Sequence, residues 1–135
     1  GVVDRSAAER LYHDFMALDT RFKQLVTDWQ IKVIGGNRVP NDHADTAYDA
    51  AIRARLADFH QATLALLPDI LTLVPRLRPF AVRLAHAASA IAAGDGTMIA
   101  SPLKDSYHTV WFELHEELIH LAGRDRAIEE ARSGG

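Results

Sequence analysis

The sequence predicts an all-α fold, an antiparallel up-down four-helix bundle with a short C-terminal helical extension. Apolar residues recur every three or four positions over helix-length segments, and no segment shows the apolar-polar alternation of a half-buried strand. The breaks between these segments are short, which favours antiparallel neighbours. We expect helices over roughly 6–33, 45–74, 76–93 and 102–122, and no β-sheet.

The first and last helices carry the clearest apolar faces. The first face comprises Leu11, Phe15, Leu18, Phe22, Leu25 and Trp29, and the last comprises Leu103, Tyr107, Val110, Leu114, Leu118 and Leu121. Gly35-Gly36 is expected to end the first helix, and Gly123 the last. Residues 35–44 read as a loop and residues 97–100 as a single helical turn. Pro68 predicts either a kink or a new helix.

Composition and charge limit the class of protein. The chain has 135 residues, 48% of them apolar, which fits one globular domain covering 1–135 and excludes a disordered tail. No apolar run approaches the roughly 20 residues of a membrane span. With 15 Lys and Arg against 18 Asp and Glu, there is no basic footprint for nucleic acid, so we expect no direct nucleic-acid contact.

The absence of cysteine excludes disulfides, thiolate metal sites and cysteine nucleophiles, and it fits a cytoplasmic location. The chain opens Gly1-Val2-Val3 without an initiator methionine. We therefore expect a domain excised from the C-terminal part of a longer protein.

The fourth predicted helix holds the only spacing that suggests a metal. Glu117 and His120 match the Glu-x-x-His spacing of carboxylate-bridged di-metal bundles, with Glu113 on the same flank. The alternative function is therefore a metal-dependent helical-bundle enzyme. The facing helices, however, offer no second Glu-x-x-His, and the favoured interpretation is that Glu113 and Glu117 pair with an arginine such as Arg21.

Other polar and aromatic residues suggest binding rather than chemistry. Trp29 follows Asp28 at the end of the first helix, and Asn41, Asp42 and His43 lie in the long loop, where a rigid scaffold often presents binding groups. Trp29 also fits core packing, and the loop residues also fit turn and capping roles.

Five arginines surround the second connection: Arg53, Arg55, Arg76, Arg78 and Arg83. Converging arginines can hold a carboxylate or a phosphate with paired hydrogen bonds. Their number is not unusual for solvated helix faces, and that is the favoured interpretation.

Three segments together resemble a known domain: residues 21–30 (RFKQLVTDWQ), 41–50 (NDHADTAYDA) and 105–118 (DSYHTVWFELHEEL). Their order resembles a C-terminal helical region of actinobacterial proteins. There it follows either a winged-helix, MarR-like segment or a phosphoenolpyruvate-utilising module related to pyruvate phosphate dikinase. The resemblance implies an accessory sensory or interaction domain, whose longer parent protein binds DNA or performs catalysis.

An up-down topology would bring these three segments to one end of the bundle. The candidate ligand-binding residues there are Asp28, Trp29, Asn41, Asp42, His43, Tyr48, Tyr107, His108, Trp111 and His115. Amides at the start of the fourth helix would favour an anionic group, with a protonated His43 or His108 adding charge. The expected partner is a small molecule or the rest of the parent protein, with a homodimer as a further option. Alternatively, these residues only fix the loop to the bundle, with His43 hydrogen-bonded to Asp28 or Tyr107.

Overall fold

The computed structural model describes the backbone of residues 5–133 and the side chains of residues 5–123, and it confirms a mainly helical fold. Five α-helices are present in that part of the chain: α1 (Arg5–Gln30), α2 (Thr46–Leu73), α3 (Arg78–Ala92), the single turn α4 (Thr97–Ala100) and α5 (Tyr107–Ser133). Within residues 5–133, no helix has both the length and the apolarity that a membrane crossing requires.

A small β-hairpin contradicts the prediction that the chain has no sheet. Strand β1 (Ile31–Ile34) pairs antiparallel with β2 (Asn37–Pro40). The two residues between the strands, Gly35 and Gly36, have φ angles of 57° and 81°. Two consecutive positive φ angles suit the tight turns that match strand twist, and glycine adopts them without steric cost. The first helix therefore ends at Gln30 rather than 33, and only the residues after Pro40 form the expected loop.

The core confirms most of the predicted apolar faces. Helix α1 packs on α2 and α5, and α3 packs on the same two helices. Aromatic rings fill the centre: Phe15 stacks on Trp111 at 4.4 Å, and Phe22 lies 5.3 Å from Phe59 and 5.5 Å from Tyr107. Burial of these rings contributes much of the stabilisation, because large aromatic side chains remove the most apolar surface from water.

The last two long helices differ from prediction at their ends. Helix α3 begins at Arg78, after a 3₁₀ turn over Pro75–Leu77. Helix α5 begins at Tyr107 rather than 102, because the buried Ser106 caps it: its hydroxyl accepts from the amide of Thr109. Leu103 consequently lies in the preceding turn, with 94% of its surface exposed, and does not belong to the apolar face.

Gly123 does not end a helix, and the new helix that was one of the two alternatives at Pro68 does not form. Gly123 does not stop α5, which continues to Ser133, so the predicted C-terminal extension is part of the same helix. Pro68 lies inside α2, which runs as one helix from Thr46 to Leu73.

The turn over Thr97–Ala100 is helical, as predicted.

Candidate functional site

An open pocket of about 620 Å³ lies beside the end of α1. Three parts of the chain form it: the end of α1 with the loop after the hairpin, the first two turns of α2, and the segment from the end of α3 to residue 104. Its lining comprises Trp29, Gln30, His43, Thr46, Asp49, Arg53, Gly94, Gly96, Thr97, Ala100, Ser101 and Lys104. A volume of this order accommodates a small organic ligand.

Asn41 organises one wall of this pocket. Its side chain is almost fully buried, and Nδ2 donates to the carbonyl oxygen of Trp29 at 2.8 Å and to Asp49 Oδ1 at 3.0 Å. Its Oδ1 accepts from the backbone amide of His43 at 3.0 Å. Asn41 thereby ties together the end of α1, the loop and the first turns of α2, which suits a buried amide that must satisfy its polar atoms.

His43 lies across this loop in a left-handed conformation, with φ of 61°. Such a φ is uncommon for residues other than glycine and asparagine. The hydrogen bond that the His43 amide donates to Asn41 helps to hold the backbone in this conformation. The imidazole packs on the indole of Trp29, with 4.5 Å between ring centroids, and Nδ1 lies 2.9 Å from Asp49 Oδ2. The expected hydrogen bond from His43 to Asp28 or Tyr107 is therefore wrong, because Asp49 is the partner.

The opposite wall comes from the connection between α3 and α4. Gly94 turns the chain with φ of 112°, and Gly96 lies against the ring of Trp29. Asp95 accepts from the amide and the hydroxyl of Thr97, and Lys104 donates to that hydroxyl at 2.7 Å. The hydrogen bond from the Thr97 hydroxyl, followed by the charge of Lys104, holds the pKa of Asp95 below its usual value.

Arg53 lines the pocket without a partner. Within the part of the chain whose side chains are described, its guanidinium forms no hydrogen bond or ion pair. Asp49 precedes it by four residues on α2, a spacing at which Asp and Arg ordinarily attract each other. Asn41 and His43 occupy the two carboxylate oxygens of Asp49 instead.

The predicted residues near the end of α1 and the start of α2 divide between pocket and scaffold. Trp29 and His43 line the pocket, and Asn41 supports it. Asp28 faces elsewhere and pairs with Arg55 at 2.8 Å, while its carbonyl oxygen accepts from the Tyr48 hydroxyl. Asp42 caps the loop by accepting from the amide of Ala44 at 3.0 Å.

The predicted site residues of the fourth helix lie outside the pocket lining. Tyr107 and Trp111 are buried in the core, where the indole Nε1 of Trp111 donates to the buried Asp19 at 2.9 Å. His115 also lies near Asp19, with 3.8 Å between Nδ1 and Oδ1. His108 is exposed beside Phe22. The pocket thus lies against the α3–α4 connection and not over the start of this helix.

Tyr107 instead belongs to a buried polar chain. Its hydroxyl donates to Thr63 Oγ1 at 3.1 Å and lies 3.0 Å from His60 Nδ1. Burial raises the pKa of Tyr107 far above its usual value and lowers the pKa of His60. Both groups are therefore held neutral by their surroundings.

The metal candidates are engaged by arginines from α3 and the turn before it. Arg83 binds Glu113 together with Asp105, and Arg76 Nη1 lies 2.9 Å from Glu117. The expected partner Arg21 is therefore replaced by Arg83 and Arg76. His120 is exposed, and the described residues contain no cluster of three or more His, Asp or Glu side chains with metal-binding geometry.

Several pocket residues lacked a clear signal in the sequence. Gly96, Thr97 and Lys104 enter only because the α3–α4 connection folds back over Trp29. Gly94-Asp95-Gly96 reads as a turn, but a turn motif does not specify what the turn packs against. Asp49 and Arg53 could have been connected by their spacing on α2, since residues four apart share a helix face.

Comparisons with protein-family models, with curated proteins and with solved structures gave no match for this chain. The geometry of the pocket is therefore the basis for a functional proposal.

Proposed function

We propose that this chain is a non-catalytic binding module that takes a small organic anion in the pocket between Trp29, His43 and Arg53. The observation that carries the proposal is Arg53. It presents an unpaired guanidinium to an open pocket, although an aspartate stands one helical turn away. A guanidinium binds carboxylate or phosphate through paired, charge-assisted hydrogen bonds.

The other pocket residues favour an anion that has an apolar body. The rings of Trp29 and His43 and the methyl group of Ala100 supply apolar contacts, and Lys104, whose charge is paired with Asp95 at 3.8 Å, lines the far side of the pocket. Pockets of this kind bind ligands by burying apolar surface, with a few polar groups fixing the orientation. Asp49 also lines the pocket, but both of its carboxylate oxygens already bond to Asn41 and His43.

The scaffold and the role of the domain follow as part of the same proposal. The contacts of α1 with α2 and α5, and of α3 with α2 and α5, suit an antiparallel up-down four-helix bundle, and we propose that arrangement. The resemblance to the helical region of actinobacterial regulators and phosphoenolpyruvate-utilising proteins adds a sensory or interaction role beside a parent module. In this role, ligand binding is reported to the rest of the parent protein.

Calorimetric titration with 3-phenylpropionate tests the binding proposal, because this probe joins one carboxylate to one planar apolar ring. We expect saturable binding to the wild-type chain. Arg53→Gln should weaken it by about tenfold or more, as expected for the loss of a charge-assisted pair.

Arg55→Gln is the matched control. It removes the same charge two residues further along α2, where Arg55 pairs with Asp28 outside the pocket lining. Its affinity for the probe should remain within about twofold of wild type. Absence of saturable binding, or an equal loss in both variants, would contradict the proposal.

A further inference from the structure

The hydrogen bonds around His43 fix which ring nitrogen carries the proton. An ionised Asp49 can only accept, so the 2.9 Å contact from His43 Nδ1 to Asp49 Oδ2 requires a proton on Nδ1. Asn41 Nδ2 lies 3.3 Å from the same Nδ1, but its two hydrogens are directed to Trp29 and Asp49 at shorter distances. The neutral imidazole therefore carries its lone pair on Nε2.

His43 Nε2 has no partner in the part of the chain whose side chains are described, and His43 lines the pocket with 45% of its side chain exposed. A carboxylate bound to the opposite nitrogen fixes the ring orientation and makes the free nitrogen a better acceptor. Nε2 therefore offers the pocket a fixed acceptor for an O–H or N–H group.

This acceptor lies near the proposed anion-binding guanidinium. Asp49 and Arg53 stand one helical turn apart, about 5–6 Å between Cβ atoms. His43 is in direct hydrogen-bond contact with Asp49. The acceptor and the cation are therefore close enough to contact one small molecule at the same time.

We infer that the ligand is a small organic acid that also bears a hydroxyl or amino group, its acid held by Arg53 and its donor bonded to His43 Nε2. This inference rests on the proposed function and specifies the class of ligand. Trp29 and Ala100 then contact the apolar body of the acid.

Paired titrations with 3-phenyllactate and 3-phenylpropionate test this class, because the two acids differ only by one hydroxyl group. At neutral pH, one enantiomer of 3-phenyllactate should bind the wild-type chain roughly 3- to 10-fold more tightly, as expected for one net hydrogen bond. In His43→Asn, the two acids should bind with equal affinity.

Asparagine is the matched replacement for two reasons. It tolerates the positive φ of position 43, and its amide nitrogen can occupy the place of Nδ1 and donate to Asp49. It removes Nε2 together with the ring that packs on Trp29, and the loss of that ring affects the two acids alike. Circular dichroism and the melting temperature establish that the variant is folded.

Nitrogen NMR of the wild-type imidazole provides a readout that needs no variant affinity. At a pH where the imidazole is neutral, the Nε2 resonance of His43 should lie in the range of an unprotonated nitrogen and shift on addition of 3-phenyllactate, but not of 3-phenylpropionate. Equal affinities of the wild type for the two acids, with no selective Nε2 shift, would overturn this inference and leave the anion-binding proposal standing. Binding of neither acid would overturn both.

Discussion

Gly96 packs directly against the indole ring of Trp29, so closely that a Cβ atom at position 96 would lie 2.6 Å from Cη2 of that ring. Its backbone conformation is ordinary, so glycine is required here for space rather than for an unusual φ. This contact brings the α3–α4 connection against the end of α1 and gives the pocket two walls.

Gly96→Ala should therefore destabilise the fold and disturb the pocket. The added methyl group must displace a ring that is itself buried, and overpacking of this kind costs about 1–3 kcal/mol. Chemical denaturation measures the change in the free energy of unfolding, and the indole NMR signal of Trp29 reports the displacement.

Gly123→Ala is the control for this substitution. Among the residues whose side chains are described, none beyond the immediate neighbours and the helix backbone lies within 4 Å of a Cβ atom at Gly123, which is inside α5. Because alanine is the better helix former, this variant should gain about 0.5–1 kcal/mol. A Gly96→Ala protein as stable as wild type, with an unmoved Trp29 signal, would contradict the tight contact.

Asn41→Ala tests whether Asn41 keeps Arg53 free. Removing the amide leaves the buried carbonyl oxygen of Trp29 without one partner, which should cost about 1–3 kcal/mol of stability. It also releases Asp49 Oδ1 to attract Arg53. The molecules that remain folded should therefore bind 3-phenylpropionate more weakly than wild type does. Denaturation and calorimetry measure the two effects separately.

Asp42→Ala is the neighbouring control, because Asp42 is exposed and, within the described part of the chain, bonds only to the amide of Ala44. It should change stability by less than about 0.5 kcal/mol and leave affinity unchanged. If Asn41→Ala bound the probe as tightly as this control, Asn41 would have no part in keeping Arg53 available.

Because His60 is buried, the free energy of unfolding should decrease at acidic pH. Burial lowers the folded-state pKa of His60 below its ordinary value of 6.5. Between the two pKa values the unfolded chain binds more protons than the folded chain, so the free energy of unfolding decreases as the pH falls below about 6.5. Above that pH, His60 contributes no pH dependence.

His60→Asn isolates this contribution, since its amide nitrogen can replace Nδ1 as a donor to Tyr107 without taking up a proton. Thermal melts from pH 8 to pH 5 should show a steeper decline for wild type than for the variant. All other histidines are common to the two proteins. If the melting temperatures of the two proteins declined in parallel with pH, burial would not lower the pKa of His60.

The amino-acid pattern predicted the helical core because spacing alone decides which side chains share a helix face. Phe15, Phe22 and Leu114 were placed on such faces and are buried. The spacing of apolar residues wrongly predicted that the first helix continues into Ile31–Ile34, which form a strand. A short run of apolar residues after a helix is compatible with both structures. Two glycines with positive φ decide in favour of the hairpin.

The sequence predicted only those residues of the candidate site that lie close together along the chain. Trp29 and His43 were identified because the sequence places a loop directly after the first helix, and both line the pocket. Gly96 and Lys104 were not identified, because their approach depends on how α4 folds back over the end of α1. Arg53 was recognised as a charge near a connection, but its freedom depends on hydrogen bonds of Asn41 and His43 that spacing does not show.

Locating a bound anion on the chain shows whether the pocket beside Trp29 and Arg53 is the binding site. Amide NMR spectra of the isotope-labelled chain, recorded during titration with 3-phenylpropionate, should show saturable shifts at residues 43–53 and 94–104, together with the side-chain signal of Arg53. Shifts confined to the second cavity, which Arg21, Arg55 and Phe59 line on another part of the surface, would contradict the claim.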